Sequence, residues 1–399
     1  VKHISILKNP VQKYAWGSGT VLQSLLDWPK PWREPAAELW MGVHPKAPSK
    51  VEVDGDWRSL ADVIAADPVS VLGNDAAERF SNRLPFLFKV LAADRPLSIQ
   101  VHPDMAQARE GFFRENRSNI PLDAPNRNYK DARHKPECLC AVTRFEAMKG
   151  FRSPEDILTL MDRVFVGTPI KELDPLRKDP NPLGLKRFFT SFLSMDVTRK
   201  AQVVNEAVQG VKRFSDEDPA FYWLQELNRE YPGDIGVLSP LFLNLVDLSP
   251  GEAIYVPAGE LHAYLSGVGM EIMASSDNVL RGGLTPKHMD IPELLNIVNF
   301  ISNPVQKQRP RADDNFERIY ETPADEFQLS KIVLNGHERF TGRKERSVEI
   351  LICMAGEGLI ERLDGGHVLP LKKGMSIIVP SAVPGYAVSG NITLYKGGV

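Results

Sequence analysis

Four side chains of this 399-residue chain can be brought to one cation: Gln100 and His102 in PLSIQVHPD (96–104), Glu137 in HKPE (134–137), and His262 at the end of a G-x5-P-x-G-x2-H frame that begins at Gly251. Two imidazoles, a carboxylate and an amide oxygen suit Zn²⁺ and leave one or two positions for water or substrate. The nearest competitor is Fe²⁺, because two histidines and a carboxylate also describe non-haem iron sites. A fourth protein ligand, Gln100, would fill a position that oxygen chemistry needs, so one zinc per chain is the expectation. Each residue alone reads as well as an ordinary polar strand face; the argument rests on the set.

These ligands need strands to carry them. LPFLFKVLAADRPLSIQVHPD (84–104) reads as two strands around a turn, and in the second Gln100 and His102 share one face while Ile99 and Val101 take the other. Lys89 interrupts the apolar first strand and therefore needs a partner or a polar pocket. HKPECLCAVTRFEAMKGF (134–151) is β-like, with His134, Lys135 and Glu137 grouped around Pro136 at its start. Asp104 is positioned to hold the outer nitrogen of His102. Residues 253–256 form a strand that ends at a Pro/Gly turn and aims His262 inward, a frame found in double-stranded β-helix (cupin) barrels. The frame recurs at 374–385, with Ala382 and Gly385 where the second Gly and the His stood, which implies a second barrel that keeps the shape without the ligand.

Between the two frames the period changes. Ser153-Pro154-Glu155-Asp156 is an N-cap and capping-box signature, and helical spacing continues at 183–195, 200–214 and 219–227. Further helices are expected at 60–72 and at 293–300, a strand at 37–42 and another at 241–248, while 106–133 reads as a long polar loop and 306–314 as a linker. The expected fold is mainly β with a helical insertion: two cupin-like barrels plus an α-helical domain. The metal-binding barrel is discontinuous, 1–151 and 236–303; the insertion is 152–235; the degenerate barrel is 304–399.

Composition narrows the partners. With 43% hydrophobic and 25% charged residues and a net charge of −3, the chain has no basic field for nucleic acid or an anionic membrane surface. It has no run approaching the ~18 apolar residues of a membrane span and no signal-peptide pattern at its start, so a cytoplasmic location is expected. Three cysteines are an odd number, and Cys138 and Cys140, sharing a strand face, read as buried reduced thiols.

Nearly the whole chain resembles the type I mannose-6-phosphate isomerases (phosphomannose isomerases). The resemblance is carried by YAWGS (14–18), AELWMG (37–42), PLSIQVHPD, YKDARHKPE (129–137) and, most specifically, HAYLSGVGMEIMASSDNVLRGGLTPK (262–287). Arg133 and Gly282 depart from the family's usual Asn and Ala. The resemblance implies that Gln100, His102, Glu137 and His262 are zinc ligands, that Arg281 is the catalytic arginine, and that Lys89, His134, Lys135 and Asp277 stand in the cleft. It implies interconversion of mannose 6-phosphate and fructose 6-phosphate by C2/C1 proton transfer through a cis-enediol, by a monomer. Zinc would stabilise the enediolate charge, and Arg281, always protonated, would assist it or orient the sugar. Lys135 is the favoured base, with Asp277, Glu271 and His134 as rivals. Lys89, Lys135, Arg281 or Lys287 would hold the phosphate. A non-catalytic sugar-phosphate sensor and an iron dioxygenase are the competing readings.

Overall fold

The computed structural model describes residues 2–214, 217–312, 316–366 and 368–399. The last two residues of the expected 306–314 linker lie outside them. The fold is mainly β, in two sheets with helices between and around them. No helix among the described residues is long and apolar enough to cross a membrane.

The first sheet is built on one strand, His262–Ala274. Its N-terminal half pairs with Phe145–Phe151 and, at His262, with Ile99–Val101; its C-terminal half pairs with Phe86–Ala93 and Glu137–Ala141. The change of partners falls at Gly267, whose φ of +116° and close approach to the Arg144 carbonyl leave no room for a Cβ. The strand Ala253–Val256 forms as expected, between Gly251 at φ +91° and Gly259 at φ +78°. Gly374, at φ +86°, repeats the first turn ahead of Ser376–Val379.

Side-chain alternation then decides what each face meets. Ile99, Val101, Leu261, Ala263 and Leu280 all point into the core shared with the helices of the 152–235 region. Those helices start as expected at Ser153, whose hydroxyl accepts from the Asp156 amide, and pack Phe188, Phe189 and Phe192 around Phe151 and Phe242. Phe88, Val90, Cys138, Cys140, Met270 and Ile272 point the other way, into a core shared with the second sheet. The three cysteines are buried and free. What remains faces between these two cores: Gln100, His262 and Arg281 on one wall, Lys89, Glu137 and Glu271 on the other.

The second sheet holds the C-terminal strands, and also Ser5–Lys8, Lys50–Val53 and Asp56–Ser59. Ser5 pairs with Ile378 and Leu7 with Val51. The first 60 residues, expected entirely within the metal-binding barrel, are therefore shared between both sheets. A second correction concerns 106–133, expected as a loop. Residues Met105–Arg117 are helical, started by a capping box in which the Asp104 carboxylate accepts from the Gln107 amide at 2.8 Å and the Gln107 side chain accepts from the Asp104 amide at 2.9 Å. The Asp-x-x-Gln signal was present; a long polar surface face masked it.

Inside the second sheet the ligand-free frame surrounds a buried ion cluster. The Lys396 ammonium lies 2.8 Å from both Glu317 and Glu349, Tyr386 donates to Glu349 at 2.8 Å, and Ser330 donates to Glu317 at 2.5 Å. Removing one member strands the others without water. Lys396→Ala should lower the free energy of unfolding by about 3–5 kcal/mol, and the combined Lys396→Met, Glu317→Gln, Glu349→Gln protein should lose less, as measured by denaturant titration.

Candidate metal centre

Three of the four expected ligands meet. The ligand atoms of His102, Glu137 and His262 lie within 4.8 Å of one another, and all three residues are buried. The Nε2 of His102 is 3.3 Å from one Glu137 oxygen and the Nε2 of His262 is 3.3 Å from the other. Each ring turns its Nδ1 to a main-chain carbonyl: His102 to Asn278 at 2.7 Å, His262 to Glu260 at 3.0 Å. A carbonyl only accepts, so Nδ1 carries the proton and Nε2 presents a lone pair. Two lone pairs thus face a carboxylate in a dry interior, and His102 Nε2 has no hydrogen-bond partner. A cation between them satisfies all three, which makes the donor set a fit for a divalent metal.

The electrostatics keep the donors ready. Burial, followed by the nearby Lys135 charge, pushes His102 down to about 4, so it is neutral at ordinary pH. Burial works against the Glu137 charge, but Lys135, 3.0 Å away, and the two imidazoles hold its carboxyl well below the usual range. Gln100 joins the set by register: its Cα partners are His262 on one side and Arg281 on the other, so the three share a face.

Asn278, not singled out in the sequence, is the residue behind this arrangement. It is fully buried; its carbonyl holds His102, its Oδ1 accepts from the Lys130 and Asp131 amides, and its Nδ2 donates to the Asp131 and Arg133 carbonyls. It therefore fixes the 130–134 loop and a ligand ring together. Asp104, expected to hold His102, caps the helix after it instead.

The other expected residues divide by whether their charge is already used. Lys89 has found its partners, Glu271 at 2.6 Å and Glu38 at 3.7 Å, with Trp40 donating to Glu38 at 2.8 Å. Burial opposes its charge, but the carboxylates hold its proton firmly, leaving little for a phosphate. Burial raises Glu271 against the pull of Lys89. Asp277 accepts from His44 at 2.8 Å and from Lys46 at 3.0 Å, two further residues that the sequence did not reveal. His134 is paired with Glu326 at 2.5 Å. Arg281 is different: its side chain is half-buried, with no hydrogen bond or ion pair among the described residues, and burial alone lowers its pKa. Lys287 is lowered by burial and then by the like charges of Arg281 and Lys46, so these three cations are neighbours. An open groove of about 1210 Å³ is lined by Lys46, Asp277, Lys130, His134 and Glu326, the loops that back the donor set, and not by the donors themselves.

A mainly β protein that turns a His₂Glu donor set and an unpaired arginine toward one interior carries the side chains of a metal-dependent enzyme. Residues 4–154 match the family model "Phosphomannose isomerase type I, catalytic domain", and residues 317–396 match "Mannose-6-phosphate isomerase, cupin domain". The chain is 41% identical to mannose-6-phosphate isomerase of Escherichia coli over 96% of its own length and 97% of that protein's, and 33% identical to that of Mus musculus over 98% and 90%. It superposes with a TM-score of 0.90 on a zinc-bound mannose 6-phosphate isomerase and 0.91 on a single-residue variant of the Salmonella typhimurium phosphomannose isomerase, each at 38% identity and 99% coverage of both chains. The chain belongs to the type I phosphomannose isomerases, a family of isomerases.

Two predictions follow from the geometry. Asn278→Ala keeps the carbonyl that holds His102 but removes the side-chain bonds that fix residue 278 to the 130–133 loop, so the carbonyl loses its support and metal affinity should weaken about 10–100-fold, read by competition with a chromogenic chelator. Burial raises the Asp277 carboxyl, yet His44 and Lys46 more than reverse this and depress it. A depressed carboxyl stabilises the fold above its unfolded pKa of about 3.9 and loses that contribution as pH falls. The stability difference between wild type and Asp277→Asn should therefore close as pH drops below about 4, followed by urea unfolding across pH.

Proposed function

We propose that this protein interconverts mannose 6-phosphate and fructose 6-phosphate, with one Zn²⁺ held by His102, Glu137, His262 and Gln100. The observation that carries the reading is the row Gln100, His262 and Arg281 on one sheet face, with an unpaired guanidinium on the same face as a donor set that fits a divalent cation. Family membership supplies the substrate pair. The reactive unit is then the part of 1–151 and 236–303 that forms the first sheet, backed by the helices of 152–235 and by the second sheet, which takes strands from the first 60 residues as well as from 304–399.

In the forward direction a proton leaves C2, the O2 proton is relayed toward O1, and the resulting cis-enediol is reprotonated at C1 as O2 becomes the carbonyl. Zinc, when bound, supplies Lewis-acid stabilisation of negative charge on the sugar oxygens. Arg281 adds a fixed positive charge that has no other partner to satisfy, so it serves the enediolate at little reorganisation cost. Lys135 carries the proton: it is only slightly exposed and lies beside Glu137, whose negative charge a metal would take up. Asp277 has both oxygens engaged and a depressed pKa, which makes it a hydroxyl anchor and not a base. Phosphate is held by Lys287 and Lys46 near Arg281, cations whose mutual repulsion an anion relieves.

A coupled assay of fructose 6-phosphate formation tests this reading. Chelation should abolish turnover and zinc should restore it; zinc-loaded protein that does not convert mannose 6-phosphate would sink the proposal. Arg281→Ala should lose about 10²–10³ in kcat with zinc content unchanged, whereas His262→Ala should lose the zinc.

A further inference from the structure

The second sheet reaches the candidate cleft through Glu326. Glu326 lies in the turn between the strands Glu317–Tyr320 and Gln328–Leu334, and its carboxylate meets the His134 ring at 2.5 Å. The turn is anchored on both sides of Glu326: Phe327 is buried in the core between the sheets, and Asp325 lies 3.6 Å from Arg79. Only 15% of the Glu326 side chain is exposed, against 28% for His134. On the other side the 130–134 loop is gripped by Asn278 and by Ser276, whose hydroxyl donates to the Arg133 carbonyl at 3.2 Å. His134 is thus held between the two sheets.

From His134 the chain has little freedom before Glu137. Pro136 has a fixed φ, and the residue before a proline is confined to extended conformations, so the main chain at Lys135 has little freedom. The Pro136 carbonyl is pinned by the Ala274 amide at 3.0 Å. Holding His134 therefore holds the N-terminal end of the short stretch of main chain from which Lys135 and Glu137 reach the donor set.

We propose that Glu326, supplied by the C-terminal unit, is a positioning residue for the reaction, acting through His134 on Lys135 and Glu137. The C-terminal unit then has a part beyond filling its own ligand-free interior with the Lys396 cluster. This rests on the assignment of Lys135 and Glu137 to the reactive centre. It adds that the centre is incomplete without a carboxylate from the second sheet.

The test uses the zinc-loaded full chain and its Glu326→Gln, Glu326→Ala, His134→Asn and Glu326→Gln/His134→Asn variants, with mannose 6-phosphate as substrate. The expected result is a kcat about 10-fold lower in Glu326→Ala, with KM and zinc content within about twofold of wild type, and less loss in Glu326→Gln, which keeps an acceptor. The double variant should be no slower than the slower single variant, because both remove one interaction. Imidazole ¹⁵N NMR should show the His134 Nε2 resonance moving in Glu326→Ala, because the contact at that nitrogen is lost. Unchanged kcat in Glu326→Ala, additive losses in the double variant, or an unmoved His134 Nε2 resonance would each overturn the proposal. A wild-type protein that does not isomerise the sugar counts against the function assigned above, while the NMR arm still decides whether Glu326 governs His134.

Discussion

A carboxylate set between two imidazole lone pairs, 3.3 Å from each and out of reach of solvent, is the constraint that organises this molecule. Both rings spend their Nδ1 protons on main-chain carbonyls, so both present Nε2 lone pairs toward the carboxylate. Paired strands, a buried asparagine and apolar cores on both sides bring the three groups to this spacing. Metal binding and fold stability are for this reason linked: the donors converge only in the folded chain, so a cation held there adds its binding free energy to the fold.

The same interior separates cations that build the fold from cations that are free to act. Lys89, Lys149 and Lys396 are all buried, and each has at least one carboxylate within 2.8 Å. Their charges are balanced locally, and a substrate could claim them only by displacing those partners. Arg281 is half-buried with no such balance. Burying part of a guanidinium without an anion is costly, and a fold that bears the cost keeps the site ready for an anionic ligand or transition state.

What the sequence revealed and what it hid follow from the range of the interactions. Alternation at Ile99, Gln100, Val101 and His102 sorts residues to opposite faces by strand geometry alone, and the glycines at 251 and 259 mark turns by their own backbone requirements. Cap chemistry placed the helix after Ser153. The partners of Lys89, Asp277 and His134 were invisible because Glu271, His44 and Glu326 lie 182, 233 and 192 residues away, and no local pattern specifies such a pair. Asn278 escaped for a related reason: its work is done by a carbonyl and a primary amide, groups too common to stand out. The pairing of Ser5–Lys8 with Ser376–Val379 was hidden by the same distance.

That last pairing bears on how the molecule is made. The strand Ser5–Lys8 must wait for one near residue 378 before its hydrogen-bonding edge is covered, and Lys50–Val53 and Asp56–Ser59 wait with it. Contacts this distant in sequence slow folding and leave strand edges open in partly synthesised chains. The nascent protein thus carries an unfinished sheet while the whole segment between these strands is made. Until closure its open strand edges are exposed to wrong pairing and aggregation.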